Sequence, residues 1–170
     1  MHYVIIGNSS FSFEVAQGIR HVDQASEVSL FCPEGVLPYY RHALPSLILG
    51  MADDQMVCAP NDIYAQQHIN LVMDKKIVRV QPKRKRLLTE DKEQIPFDVL
   101  IIEGTGPFVL PDFKGVQKQG VFHLKTFEDT KKMVDCVGLT DTAIVEVHSF
   151  LGLQVACHLR KIEQEVIAVV

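Results

Sequence analysis

Residues 3–31 read YVIIGNSSFSFEVAQGIRHVDQASEVSLF, and their pattern is the most informative about the fold. Residues 3–6 are a short apolar run that ends at Gly7, and a polar cluster follows at residues 8–10. Apolar side chains then recur at helical spacing, and the apolar run of residues 28–31 completes the pattern. A strand, a turn, a helix and a second strand in this order are the signature of a βαβ unit with a parallel sheet.

Other predicted elements lie farther along the chain. Residues 77–80, 87–89 and 97–102 alternate or are strongly apolar, and they predict a small antiparallel meander that leads into a buried strand. Residues 120–124 predict another strand. Residues 126–137 predict a helix with two acidic residues in its first turn.

The last residues of the chain repeat the strand, helix and strand pattern of residues 3–31. Residues 143–147 and 166–170 predict strands, with a helix between them that ends near residue 160. A lone βαβ unit cannot bury both faces of its two parallel strands, so we expect it to dock on the first domain, on another copy or on a different protein. The predicted fold class is α/β: a Rossmann-like domain of residues 1–125 with the meander, then a linker helix and a truncated second βαβ unit at residues 126–170.

The composition is that of a globular protein, with 47% hydrophobic and 22% charged residues among 170. The formal net charge is -4 and both signs are scattered, which argues against a nucleic-acid-binding surface. The four cysteines stand far apart, so we interpret them as free thiols, not as a disulfide framework or zinc site. No leader precedes the first strand and no apolar run reaches the ~20 residues of a membrane span, so the cytoplasm is the default expectation.

Five segments resemble the motifs of one enzyme family in their order along the chain. They are the opening strand with its glycine, residues 37–41, residues 97–102 with 107–109, residues 120–129 and the final βαβ unit. Together they resemble the FAD-dependent pyridine nucleotide-disulfide oxidoreductases, in the branch of rubredoxin reductases and NADH-dependent nitrite reductases. The resemblance implies an FAD-binding domain, with residues 37–41 against the flavin nucleotide, and the start of an NAD(P)H-binding domain.

The turn after the first strand departs from the pattern of this family. In the family it reads G-x-G-x-x-G, where the glycines make the tight turn, admit the pyrophosphate and let the helix pack closely on the strand. Residues 7–12 keep only the first of these glycines, and Ser9 and Ser12 stand at the other two positions. Both serines add atoms where the pyrophosphate and the strand should lie.

The other nucleotide-contacting motifs have changed as well. In the second unit the three glycine positions are Val147, Ser149 and Gly152, so the first two glycines are missing. The I-A-T-G-A motif of the family becomes residues 102–106, where Glu103 places an acid beside a position that normally faces an anionic nucleotide. Because every such motif departs from the pattern, the sequence indicates a relaxed or redirected function.

Two roles fit the polar turn, and the sequence leaves both open. A helix N-terminus binds anions through its N–H groups and dipole even without glycines, so the turn could donate hydrogen bonds to a phosphate. Alternatively, its Ser and Asn side chains simply cap the helix. The candidate cofactor-binding residues are Gly7, Asn8, Ser9, Ser12 and Arg41. No residue is predicted to be catalytic or to bind a metal.

Two functions follow from these observations. The lost glycines and the unmatched terminal unit favour a non-catalytic pseudo-oxidoreductase with no bound cofactor. It would act as a structural, assembly or accessory subunit, either as a homo-oligomer or in a larger complex such as a redox enzyme. The alternative is a module that binds FAD or an adenine nucleotide, or a fragment of a flavin-dependent NAD(P)H oxidoreductase, with its binding site at residues 7–12 and Arg41.

Overall fold

The computed structural model describes residues 1–73, 75–104 and 114–170. The chain forms two compact units, one of Met1–Tyr40 with Val57–Pro107 and one of Arg41–Met56 with Phe108–Val170. The domain boundaries predicted from the sequence, 1–125 and 126–170, stay a prediction. The strands are β1 (His2–Ile6), β2 (Glu27–Phe31), β3 (Ile69–Val72), β4 (Ile77–Gln81), β5 (Arg86–Thr89), β6 (Gln94–Pro96), β7 (Val99–Ile102), β8 (Thr142–Glu146) and β9 (Glu165–Val169). The α-helices are α1 (Ser10–Val22), α2 (Asn61–Gln66), α3 (Phe127–Val137) and α4 (Phe150–Lys161), and 3-10 helices lie at Arg41–Leu49, Asp53–Gln55 and Pro82–Arg84.

A parallel sheet forms the centre of the first unit. Its strands follow the order β3-β2-β1-β7, with Tyr3 of β1 opposite Val28 on one side and Val99 on the other. The chain leaves β1 through α1 toward β2 and later returns to the opposite side of β1 as β7. The strand order therefore reverses between β1 and β7, which makes their carboxyl ends the topological switch point of the sheet.

Both faces of this sheet are buried. On one face Ile5 packs in a cluster with Phe13 and Ala16 of α1. On the opposite face Val4 packs in a cluster with Leu87 of the meander. Because neighbouring side chains of a strand point to opposite faces, a strand that is covered on both sides is mostly apolar, as residues 3–6 of β1 are.

The meander of the first unit is a separate antiparallel sheet in the order β4-β5-β6. Leu87 of β5 lies opposite Val80 of β4 and Ile95 of β6, and it is fully buried. The structure thus confirms the α/β fold class, the Rossmann-like parallel sheet and the small antiparallel meander.

The second unit contains the predicted terminal βαβ pattern, with β8 and β9 paired in parallel and α4 between them. The inner face of the two strands packs with Val155 and Leu159 of α4. The outer face carries Ile144 opposite Ile167, and these side chains are 73% and 50% exposed. One face of the strand pair is therefore exposed in the part of the second unit that the structure describes. What covers this face stays a prediction.

One predicted strand is wrong, and the short elements α2, β3 and β6 were not predicted. Residues 120–124 form no strand, because Gly120 adopts a φ of +86° and the N–H of Val121 donates to the carbonyl of Lys118 in a turn. The elements α2 and β3 are only 6 and 4 residues long, and segments this short show no recognisable hydrophobic periodicity in the sequence.

Candidate functional site

The turn after β1 lies at the switch point of the first sheet. The N–H of Gly7 donates to the carbonyl of Phe31 at 3.0 Å, which continues the pairing of β1 with β2. On the other side, the N–H of Glu103 donates to the carbonyl of Ile6 at 2.8 Å and continues the pairing with β7. Gly7 and Glu103 are thus the first residues beyond two adjacent parallel strands. Ligands of open α/β sheets bind in the crevice at this position.

Asn8 holds the turn together from inside the first unit. Its side chain is fully buried, with Nδ2 donating to the carbonyl of Val36 at 2.8 Å and Oδ1 accepting from the N–H of Glu34 at 2.8 Å. Its carbonyl also accepts from the N–H of Tyr39 at 3.0 Å. Both ends of the carboxamide are therefore engaged in joining the turn to the segment after β2. The predicted contact of Asn8 with a cofactor stays a prediction.

The two serines at the glycine positions make hydrogen bonds to the beginning of α1. Ser9 is the N-cap residue, and its Oγ accepts from the N–H of Phe11 at 3.1 Å. The Oγ of Ser12 donates to the carbonyl of Ser9 at 2.7 Å, and both side chains are buried. Ser9 thus has the capping role that the sequence left open, and a cap of this kind stabilises a helix by roughly 1 kcal/mol.

Glu103 is the acidic residue that reaches into this turn. Its Oε2 accepts from the N–H of Ser9 at 3.4 Å. A Cβ placed on Gly7 would overlap that same oxygen, and it would lie 3.0 Å from the Cβ of Glu103. The space that glycine leaves open above the turn is therefore filled by a carboxylate of the same chain. The Glu103 side chain therefore blocks access to Gly7 and to the N–H of Ser9 in this structure.

We expect that replacing Gly7 by alanine lowers the free energy of unfolding by about 1–3 kcal/mol, the usual cost of an overpacked site. The new Cβ would overlap the carboxylate of Glu103, which can move, and would lie 2.9 Å from the Cβ of Ser12, which is fixed to α1. Gly18→Ala is the matched control, because a Cβ there meets no atom within 4 Å. In a helix this control should gain about 0.5–1 kcal/mol. Urea unfolding followed by circular dichroism measures both, and a Gly7→Ala variant as stable as the parent would contradict the packing.

The second unit repeats the turn with its own substitutions. Ser149 caps α4, and its Oγ accepts from the N–H of Gly152 at 3.3 Å. A Cβ on Gly152 would lie 3.1 Å from the carbonyl oxygen of Glu146 and 3.4 Å from the Cα of Val147. Gly152 therefore keeps the close approach of helix and strand that the third glycine of such a motif provides.

Arg41, the remaining candidate cofactor-binding residue, belongs to the second unit. Its Nη1 donates to the carbonyl of Lys125 at 3.0 Å. The structure thus places Gly7, Asn8, Ser9 and Ser12 together at one turn and Arg41 in the other unit. The predicted role of Arg41 in nucleotide binding stays a prediction. Residues 105–109, which complete the third predicted motif, lie outside the described residues.

Glu34 is a site residue that the sequence analysis did not predict, and it bonds to Tyr39, which lies in the segment of residues 37–41 that the resemblance placed against the flavin nucleotide. The hydroxyl of Tyr39 donates to Oε2 of Glu34 at 2.7 Å, and both backbones are hydrogen bonded to Asn8. Glu34 could have been recognised from the sequence as an acidic residue soon after β2. Dinucleotide-binding units have an acidic side chain at this place, which bonds to the ribose hydroxyls.

Within the described ranges we find no second candidate site among the cysteine thiols or the metal-binding side chains. The cysteines are free, and burial raises the pKa of Cys32 to about 12 and of Cys58 to about 11. Neither thiol is therefore a ready nucleophile near neutral pH. Among residues 1–73, 75–104 and 114–170, no group of three His, Cys, Asp or Glu could hold a metal ion. No helix in these ranges is long and apolar enough to cross a membrane.

The relatives of this chain are named as oxidases and reductases. An NADH oxidase from Methanocaldococcus jannaschii is 26% identical over an alignment of 171 positions that covers 94% of this chain and 38% of that protein. Rhodocoxin reductase from Rhodococcus erythropolis is 26% identical, with coverage of 95% and 38%. The chain therefore spans about two fifths of the length of these relatives.

Solved structures and a family model agree with this likeness. A ferredoxin reductase from Rhodopseudomonas palustris has the same fold, with a TM-score of 0.89 at 21% identity over 98% of this chain and 42% of that one. The family model described as pyridine nucleotide-disulphide oxidoreductase matches residues 1–170. The resemblance seen in the sequence is thereby confirmed, and the chain belongs to the pyridine nucleotide-disulphide oxidoreductase family.

Proposed function

We propose that this chain is the nucleotide-binding part of a flavin-dependent NAD(P)H oxidoreductase, and that its first unit binds the diphosphate of FAD or of an adenine nucleotide. The names of the relatives support the flavin alternative over the cofactor-free pseudo-oxidoreductase favoured by the sequence. The activity of a whole enzyme belongs to the proposal too, because the chain matches only about two fifths of each relative.

The observation that carries the proposal is the position of the capped α1 N-terminus. It follows β1 directly, at the switch point beside β7, where the free N–H groups and the dipole of a helix favour a negative charge. Gly7 keeps the space above the turn free of its own side chain. The backbone N–H of Ser9 already donates to a carboxylate, so it can donate to a phosphate oxygen once that carboxylate has moved.

Each residue of the turn has a definite task in this proposal. Gly7 admits the diphosphate, the N–H of Ser9 donates to it, and Asn8 fixes the turn from below through its bonds to Val36 and Glu34. Glu34 supplies a carboxylate beside the turn for a ribose hydroxyl. FAD, when bound, would supply the redox chemistry, and no described side chain is assigned a catalytic step.

The test is a titration of the purified protein with FAD and with ADP, after the untreated sample has been checked for yellow colour. We expect saturable binding, followed by flavin fluorescence or by calorimetry. Ser9→Asp should keep the helix cap, because Asp caps as well as Ser, yet lower the affinity for both ligands at least about tenfold through charge repulsion. Ser149→Asp, the same change at the cap of α4, should leave the affinity for ADP in the first unit unchanged.

Two results would count against this function. One is a folded protein that binds neither FAD nor ADP, and the other is equal loss of affinity in Ser9→Asp and Ser149→Asp. Self-association, or docking on a larger complex through the exposed face of β8 and β9, stays a separate prediction for which light scattering is the measurement.

A further inference from the structure

The carboxylate of Glu103 occupies the position that favours an anion in the first unit. It lies against Gly7 and accepts from the N–H of Ser9, which is the N-cap residue of α1. The free N–H groups and the macrodipole at this end of a helix stabilise negative charge from any source. A side-chain carboxylate and a phosphate oxygen therefore compete for the same donors.

We infer that Glu103 is an intramolecular competitor of the nucleotide diphosphate, so that the affinity of the turn for dinucleotides is set by how readily this side chain leaves. The inference rests on the proposed function, since it concerns the same site. It assigns to Glu103 the regulation of that site, without a catalytic role.

The backbone of Glu103 cannot move aside, but its side chain can. The N–H of Glu103 donates to the carbonyl of Ile6 at 2.8 Å, which holds the residue at the end of the strand pair. The side chain is only half-buried, so rotation about its own bonds can bring the carboxylate into solvent. Departure thus needs no change in the sheet.

The contact that must be broken is weak. The separation of 3.4 Å between the nitrogen of Ser9 and Oε2 of Glu103 is long for a charge-assisted hydrogen bond, for which about 2.7–2.9 Å is usual. A diphosphate, with more charge and more acceptor oxygens than one carboxylate, can therefore replace it. Until it does, the carboxylate both fills the space above Gly7 and repels the incoming anion.

A purely structural carboxylate would behave differently. If Glu103 only stabilised the α1 N-terminus, its removal would lower stability and leave the affinity for nucleotides unchanged or reduced. If Glu103 competes with the nucleotide, removing its carboxylate should instead raise the affinity for nucleotides. A partly unfolded variant cannot imitate a gain of binding, so the sign separates the two roles.

The experiment compares the parent protein with Glu103→Gln and Glu103→Ala by calorimetry, using FAD, ADP and adenosine. Glu103→Gln removes the charge and keeps the volume, whereas Glu103→Ala removes both. Glu14→Gln is the matched control, because it removes the same charge from an exposed position of α1. Circular dichroism checks that all four proteins are folded.

We expect both Glu103 variants to bind FAD and ADP on the order of tenfold more tightly than the parent, with Glu103→Ala at least equal to Glu103→Gln. Adenosine, which has no phosphate, should show no gain, and Glu14→Gln should match the parent. Equal affinities of the parent and both Glu103 variants would overturn the role of Glu103 and leave the nucleotide site standing. No binding of FAD or ADP by any folded variant would overturn the proposed function, and the inference with it.

Discussion

Replacing Tyr39 by alanine is expected to lower the free energy of unfolding of the first unit by about 3–5 kcal/mol, as for other large buried aromatic side chains. The side chain is only 1% exposed, and its hydroxyl donates to Oε2 of Glu34 at 2.7 Å. The backbone around it is fixed by isolated bridges to Ser9 and Val57. Because these bridges prevent collapse, the truncation leaves a cavity beside the turn.

The measurement is urea unfolding followed by circular dichroism, with hydrogen exchange of peptides from residues 1–40 to assign the loss to the first unit. Tyr40→Ala is the neighbouring control, because Tyr40 is 38% exposed and should cost clearly less. Tyr39→Phe keeps the ring and loses the hydroxyl, so it should cost about 1 kcal/mol. A Tyr39→Ala protein with the stability of Tyr40→Ala would show that the ring is not a core residue.

The second large effect is expected for Asn8→Asp, a change of almost no volume that should cost about 3 kcal/mol or more at neutral pH. In the parent, Nδ2 donates to the carbonyl of Val36 at 2.8 Å in a fully buried position. An ionised carboxylate at position 8 would place an acceptor oxygen against the carbonyl oxygen of Val36, with no hydrogen atom to form a bond between them. The buried charge would also lie at the same turn as the carboxylate of Glu103.

This loss should depend on pH in a defined direction. Burial raises the pKa of the introduced carboxyl above that of an unfolded chain, so the destabilisation is present at neutral pH and shrinks as the pH falls through the raised value. The protonated form can donate to the carbonyl of Val36, as the amide does. Unfolding midpoints of the variant and the parent at several pH values measure the difference.

Asn61→Asp is the matched control for this charge. Asn61 is exposed at the first position of α2, where an acidic residue is tolerated or slightly favoured, so its effect should stay within about 0.5 kcal/mol. A loss in Asn8→Asp no larger than in Asn61→Asp, or one that grows on acidification, would contradict the role of Asn8 as the buried link of the turn.

The sequence determined the elements that are built from local signals. β1, α1 and β2 follow from one apolar run, one helical pattern and a second, mostly apolar run, because strands buried on both faces are rich in apolar residues. The predicted helix of residues 126–137 begins where Thr126 and Asp129 form a reciprocal capping box. Residues 120–124 show where local signals fail. Their composition predicts a strand, but Gly120 lies in a turn and no strand forms.

The sequence also located the candidate turn, since Gly7, Asn8, Ser9 and Ser12 are neighbours along the chain. It did not determine what their side chains do. Asn8 and Ser12 were candidate cofactor ligands, but their polar atoms bond to Val36, Glu34 and Ser9 within the first unit. A side chain's partners depend on which distant backbone lies beside it, and no local pattern encodes that.

Only the tertiary structure put Glu103 into the turn. Ser9 and Glu103 are 94 residues apart in sequence, and they meet because β7 pairs in parallel with β1 and the two strands end together. The sequence showed only that Glu103 is an acidic residue in a changed motif. The pairing of β7 with β1 brings its carboxylate to the N-terminus of α1. Local structure follows from the preferences of neighbouring residues, whereas a contact across the sheet follows from strand order and register, which are fixed only when both faces of the sheet are packed.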